Sequence, residues 1–135
     1  MSFLLDTNVV AEVRKKRMNP GVRSWFEAAP PEQLFLSVLV LGEIHQGVVG
    51  LRRRDARQAA VYDRWLSRLR REYAERLLPV TDEVAMVWGR LNAKDPLPVV
   101  DGLLAATALV HNLSLVTRNV SDFERTGVEL LDPFE

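Results

Sequence analysis

Five short apolar runs, SFLL at the start, LFLS at 34–37, LLPV at 77–80, LSLVT at 113–117 and VELL at 128–131, alternate with longer amphipathic stretches. Short apolar runs bounded by turn residues predict buried strands. Ser2 to Leu5 is the first, and VVAEVRKK behind it reads as a helix with a basic last turn, where cations complement the helix dipole. Asn19, Pro20 and Gly21 open a short amphipathic segment carrying Trp25 and Phe26, which Pro30 and Pro31 stop. LFLS runs without a long loop into VLVLGEIHQGVVGL, a second strand-to-helix junction.

From Asp55 to Tyr73 the period is helical: Tyr62, Leu66, Leu69 and Tyr73 line one face, and Arg57, Arg64, Arg68 and Arg71 the opposite one. Thr81, Asp82 and Glu83 open a further helix with Val84, Val87, Trp88 and Leu91 at i, i+3, i+4 and i+7. Another begins near Pro98 and ends before Asn112. Strands alternating with helices predict an α/β chain around a mainly parallel sheet, whose ligands bind outside the carboxyl ends of the strands.

Composition narrows the class. The 135 residues, 47% of them hydrophobic, suit one domain over 1–135, and no repeat or linker divides them. The lack of cysteine excludes thiolate metal sites and a disulfide framework, and fits a reducing, cytoplasmic setting. No signal-peptide pattern or membrane-spanning run is visible, so no membrane association is expected. Eighteen basic residues offset eighteen acidic ones, so overall charge does not identify a polyanion binder. Locally, Leu51 to Arg76 holds nine arginines against four acids, and Arg14, Lys15, Lys16 and Arg17 form a second cluster.

Three acids sit where charge is costly: Asp6 in FLLDTN, Glu43 in LVLGEIHQG and Asp101 in LPVVDGLLAA. None has a Lys or Arg within four positions. Each has an ordinary explanation: Asp6 as a helix N-cap, Asp101 as a first-turn acid, Glu43 as the partner of a distant arginine. Together, at strand-to-helix junctions or helix starts, they would converge on one sheet edge, where like charges need a cation between them. Oxygen-only donors select Mg²⁺ or Mn²⁺, which suit phosphate chemistry. His45 lacks metal-ligand spacing, and His111 reads as a helix C-terminal cation. Asp122 and Glu124 in LVTRNVSDFE offer a fourth acid, or an ordinary polar turn with Asn119 and Ser121.

Four strings in register, LLDTNVV, SVLVLGEIHQGV, DGLLAATALVH and LVTRNVSDFERTGVELLDPF, cover nearly the whole chain. In these the sequence resembles PIN-domain ribonucleases of the VapC type, toxins of bacterial toxin–antitoxin pairs. The resemblance implies a three-layer α/β/α sandwich and metal-dependent hydrolysis of RNA phosphodiester bonds at a site binding Mg²⁺ (or Mn²⁺). By position, Asp6, Glu43 and Asp101 match the family's three firmest acids and Asp122 best matches the fourth. Many PIN domains carry that acid two residues after the threonine, where this chain has Asn119. Thr7, Asn8, Thr117 and Asn119 fall at supporting polar positions.

The resemblance also implies a homodimer and a cognate antitoxin whose C-terminal segment fills a groove beside the acids. Since antitoxins carry the operator-binding domain, no sequence-specific DNA recognition is expected from this chain alone. Arg14, Lys15, Lys16 and Arg17 are candidate RNA contacts; the arginine stripe is equally well read as a solvated helix face, and Trp25 and Phe26 as core or interface. The competing readings are a catalytically silent PIN-like protein-binding module and a phosphoacceptor fold. The phosphatase form of the latter wants DxD, where Asn8 stands, and the receiver form wants a lysine that is not evident.

Overall fold

The computed structural model describes residues 1–135 and alternates strand and helix as the apolar pattern predicts. In order, the elements are β1 (Phe3–Leu5), α1 (Thr7–Val13), α2 (Pro20–Ala28), β2 (Leu34–Ser37), α3 (Val38–Arg52), α4 (Ala56–Glu72), β3 (Leu77–Leu78), α5 (Asp82–Lys94), α6 (Val99–Val110), β4 (Ser114–Val116) and β5 (Leu130–Leu131), with short 3₁₀ turns between some of them. No helix is long and apolar enough to cross a membrane.

The strands other than β2 are shorter than the apolar runs that predict them, β5 keeping only Leu130 and Leu131 of VELL, and two further departures have local causes. Helix α1 starts two residues early, because Asp6 caps it, and ends at Val13, so the basic residues Arg14 to Arg17 fall in the turn behind it. Glu12 causes that turn: its carboxylate accepts from the Asn19 backbone N–H at 2.8 Å and pairs with Lys15 at 3.0 Å, folding the chain back towards α2. Strand β3 keeps only Leu77 and Leu78 of LLPV, and Pro79 behind them has no N–H to give a ladder.

All strand pairs are parallel, in the order β3-β2-β1-β4-β5. The chain winds outward from β1 through β2 to β3, then crosses back to β4 on the other side of β1. Right-handed crossovers in opposite directions place their helices on opposite faces of a sheet. Accordingly, one core joins Phe3, Leu5, Leu34, Leu36 and Val116 to residues of α1, α3 and α4, with Trp25 and Phe26 of α2 against it. The other joins Leu4 and Leu115 to Leu104, Ala105 and Ala108 of α6, with Phe35 and Leu91 of α5 against it. The strands alternate residue by residue between the two cores, as the pleat requires. This is the expected α/β/α sandwich, and the reversal of winding falls between the carboxyl ends of β1 and β4.

Leu4 has no exposed surface, whereas Met86 on α5 is 76% exposed. Leu4→Ala should lower the unfolding free energy by about 2–5 kcal/mol, and Met86→Ala should change it by less than about 0.5 kcal/mol. Urea unfolding of the two variants measures both.

Candidate active site

Asp6 stands at the carboxyl end of β1, still in the sheet ladder: its N–H donates to the Val116 carbonyl at 2.9 Å. Its backbone is extended (φ −74°, ψ 157°) and it is the N-cap of α1. One carboxylate oxygen accepts from the Thr7 N–H at 2.7 Å. The other accepts from the Thr117 hydroxyl at 2.8 Å, across the gap from the end of β4. Asp6 is thus both the predicted cap and a carboxylate fixed at the reversal of winding, where ligands of parallel sheets bind.

Thr117 is fully buried, and its hydroxyl ties together two segments of the chain, 6–8 and 117–119. It donates to Asp6 and accepts from the Asn119 N–H at 3.1 Å, with the Asn8 amide at 3.5 Å. The Asn8 side-chain carbonyl accepts from the Arg118 N–H at 3.3 Å. Asn8, Thr117 and Asn119 therefore hold the loop after β4 against the start of α1. Thr7 works on the other side, its hydroxyl donating to the Glu43 carboxylate in a short hydrogen bond. Glu43 lies on exposed surface of α3, paired with this hydroxyl rather than with a distant arginine. Asp101 occupies the first turn of α6, partly exposed, and Asp122 a 3₁₀ turn beyond β4, exposed.

The four acids share one field. Burial pushes the Asp6 carboxyl above its ordinary value, the Thr117 and Thr7 hydrogen bonds oppose this, and the charges of Glu43 and Asp122 add to the rise. Asp101 is raised as well, first by burial and then by the charges of Asp6, Asp122 and Glu43. No Lys or Arg forms an ion pair with any of the four. As the side chains stand, no three acids or histidines converge tightly enough to hold a metal ion. Oxygens of Asp6 and Glu43 are instead engaged by the hydroxyls of Thr117 and Thr7. The donor set itself, four carboxylates without nitrogen or sulfur, fits a hard divalent cation. Asp6, Glu43, Asp101 and Asp122 are the residues that could hold one.

This arrangement can be compared with known proteins. The PIN domain pattern matches residues 3–129. The chain belongs to the PIN domain family. It is 31% identical to the VapC ribonuclease Y4jK of Sinorhizobium fredii, over 98% of each chain, and 27% identical to toxin FitB of Neisseria gonorrhoeae, again over 98% of each. Among solved structures it is similar to FitAcB from Neisseria gonorrhoeae, with a TM-score of 0.89 and 27% identity over 98% of this chain and 99% of that one. It is also similar to a toxin–antitoxin complex from Klebsiella pneumoniae, with a TM-score of 0.71 and 27% identity over 99% of each chain.

Two contributors to this PIN domain site escaped the sequence reading. Ser37, fully buried at the end of β2, caps α3 by accepting from the Leu39 N–H at 3.0 Å, and so fixes the start of the helix that carries Glu43. A serine directly before an apolar helical run was the available signal. Gly102 lies so close to Trp88 that a Cβ there would meet the indole at 2.9 Å, letting α6 pack against α5 right beside Asp101. A lone glycine after an acid carries no such message. The basic cluster behind α1 is divided: the Arg14 guanidinium stacks over Tyr62 and Trp65, 4.3 and 5.4 Å from the ring centres, and Lys15 pairs with Glu12. Lys16 and Arg17 remain exposed and form no ion pair.

The raised carboxyl of Asp101 makes the folded chain bind a proton more tightly than the unfolded chain does. Stability from this group is therefore lost as pH rises from the ordinary value of 3.8 through the raised one. In chelator at neutral pH, Asp101→Asn should melt at a higher temperature than the parent, and the gap should close below pH 3.8. Thermal melts across pH measure the difference.

Proposed function

We propose that the chain, as one PIN domain over residues 1–135, is a metal-dependent ribonuclease and the toxin of a toxin–antitoxin pair. The observation that carries this reading is the uncompensated cluster of Asp6, Glu43, Asp101 and Asp122 at the carboxyl edge of the sheet. The relative named a VapC ribonuclease, similar over almost the full length of both chains, supports the same reaction.

Asp6 and Asp101 hold the principal Mg²⁺ or Mn²⁺ in this reading, with Glu43 and Asp122 completing the set directly or through water. Such an ion, when bound, activates water for attack on phosphorus and neutralises charge on the leaving ribose oxygen. The protein's part is positional. Thr117 and the Thr7 N–H fix both oxygens of Asp6, so one wall of the site is rigid before substrate arrives. Asp101 and Asp122 form no side-chain hydrogen bond or ion pair and are free to turn inward. The hydroxyls of Thr7 and Thr117 donate to carboxylates and serve as orienters; the reaction needs no covalent nucleophile from the protein.

The partner surface lies beside Glu43. There Ile44, Val48 and Leu51 of α3 face Tyr62 and Trp65 of α4 around an open cavity of about 260 Å³. An apolar antitoxin segment fits this groove, and an arginine on it would reach the acids as a charge-assisted partner. The similar solved toxin–antitoxin complex from Klebsiella pneumoniae supports such a partner, and a homodimer completes the assembly.

Purified chain given single-stranded RNA should cleave with Mg²⁺ or Mn²⁺, stop in chelator, and fall to background as Asp6→Asn or Asp101→Asn. Electrophoresis of the products reads this, and undiminished cleavage by either variant would sink the assignment. The same divalent ions should raise the melting temperature of the parent and leave that of Asp101→Asn nearly unchanged.

A further inference from the structure

The acid cluster repels the polyanion it is proposed to cut, so RNA needs a cationic hold outside it. A cavity of about 660 Å³ is lined by Arg90 and Lys94 of α5, Asp95 and Leu97 of the link to α6, and Arg125 with Gly127 beyond β4. Three cations face it against one carboxylate. Arg125 and Asp95 pair at 2.7 Å, while Arg90 and Lys94 have no ion-pair partner.

The chain places this cavity next to the acids. The link after α5 has only four residues, and Leu97 N–H donates back to the Asn92 side chain at 3.0 Å. Four residues cannot carry the chain back along a helix of about 20 Å, so α5 and α6 form an antiparallel hairpin. Its closed end brings Arg90 and Lys94 to the end of α6 that carries Asp101. Arg125 follows Asp122 by three residues in consecutive 3₁₀ turns. The Arg125–Asp95 pair thus ties together the two segments that bear Asp101 and Asp122, and it fixes Arg125 at the cavity wall.

We infer that this cavity is a phosphate subsite: Arg90 and Lys94, with Arg125 beside them, hold a phosphodiester of the RNA strand next to the scissile one. The inference rests on the ribonuclease reading above and adds to it where the strand lies, on the α5–α6 side of the acids. Guanidinium and ammonium groups without carboxylate partners are available to phosphate oxygens.

The test compares the full chain with Arg90→Gln/Lys94→Gln, with the charge-keeping Arg90→Lys/Lys94→Arg, and with Arg64→Gln/Arg68→Gln from the exposed stripe of α4. Cleavage kinetics on a single-stranded RNA oligonucleotide should show KM raised several-fold in the first, with kcat little changed, and near-parental values in the other two. Binding of the fluorescein-labelled oligonucleotide, measured by anisotropy in the Asp101→Asn background, should weaken likewise, and its log–log salt slope should become shallower by about 0.7 for the one phosphate no longer neutralised. A parent that cleaves RNA while the Gln pair keeps parental KM and salt slope overturns the subsite and leaves the ribonuclease reading standing. An equal loss in the α4 control also overturns it, since the contribution would then be diffuse charge. A parent that does not cleave RNA with divalent metal overturns both.

Discussion

The hydrogen bond from Thr117 to Asp6 closes the gap between β1 and β4, the one place in the sheet where the winding reverses. A carboxylate with 9% of its surface exposed, at the end of the central strand and within the field of further acids, is a standing cost to the fold. It persists because every oxygen has a donor and because its backbone is committed twice, to the ladder with Val116 and to the start of α1. The loop after β4, the start of α1 and the place of Glu43 all follow from this tie, since Asn8, Asn119 and Thr7 reach it within one or two hydrogen bonds.

The acids come from both layers of the sandwich. Glu43 projects from the layer of α1 to α4, Asp101 from the layer of α5 and α6, and Asp6 and Asp122 from the strand ends or turns between them. A cation held there would bridge two independently packed cores. Burial, with the charges of the neighbouring acids, raises Asp6 and Asp101 together. The surroundings also divide by layer: the apolar groove lies beside Glu43, and the cationic cavity on the side of α5 and α6. The two sides of one acid edge thus present different chemistry.

Charge in this molecule acts locally. Overall neutrality hides an acid cluster without counter-charge and a cavity where three cations meet one carboxylate. The arginine-rich helix α4 turns Arg57, Arg64, Arg68 and Arg71 to solvent and its apolar residues to the core, as its period predicts. Arg14, close to other cations in sequence, is engaged by aromatic rings instead.

Short apolar runs bounded by turn residues, alternating with segments of helical period, determined the order and type of the elements, because each kind of segment has one way to bury its apolar side chains. The cost of unpaired charge in apolar surroundings singled out Asp6, Glu43 and Asp101 by the same logic. Sequence could not say whether Asp6 only caps α1; in the structure it caps α1 with one oxygen and meets Thr117, 111 residues away, with the other. Nor could it foresee the early end of α1, which depends on Glu12 reaching Asn19, or the Arg125–Asp95 pair that shapes the cationic cavity. Contacts between residues far apart in the chain leave no periodic trace. The sequence by itself therefore marked the acids that lack a local counter-charge, and only the tertiary structure decided that Asp6 and Asp101 lose solvent while Glu43 stays exposed.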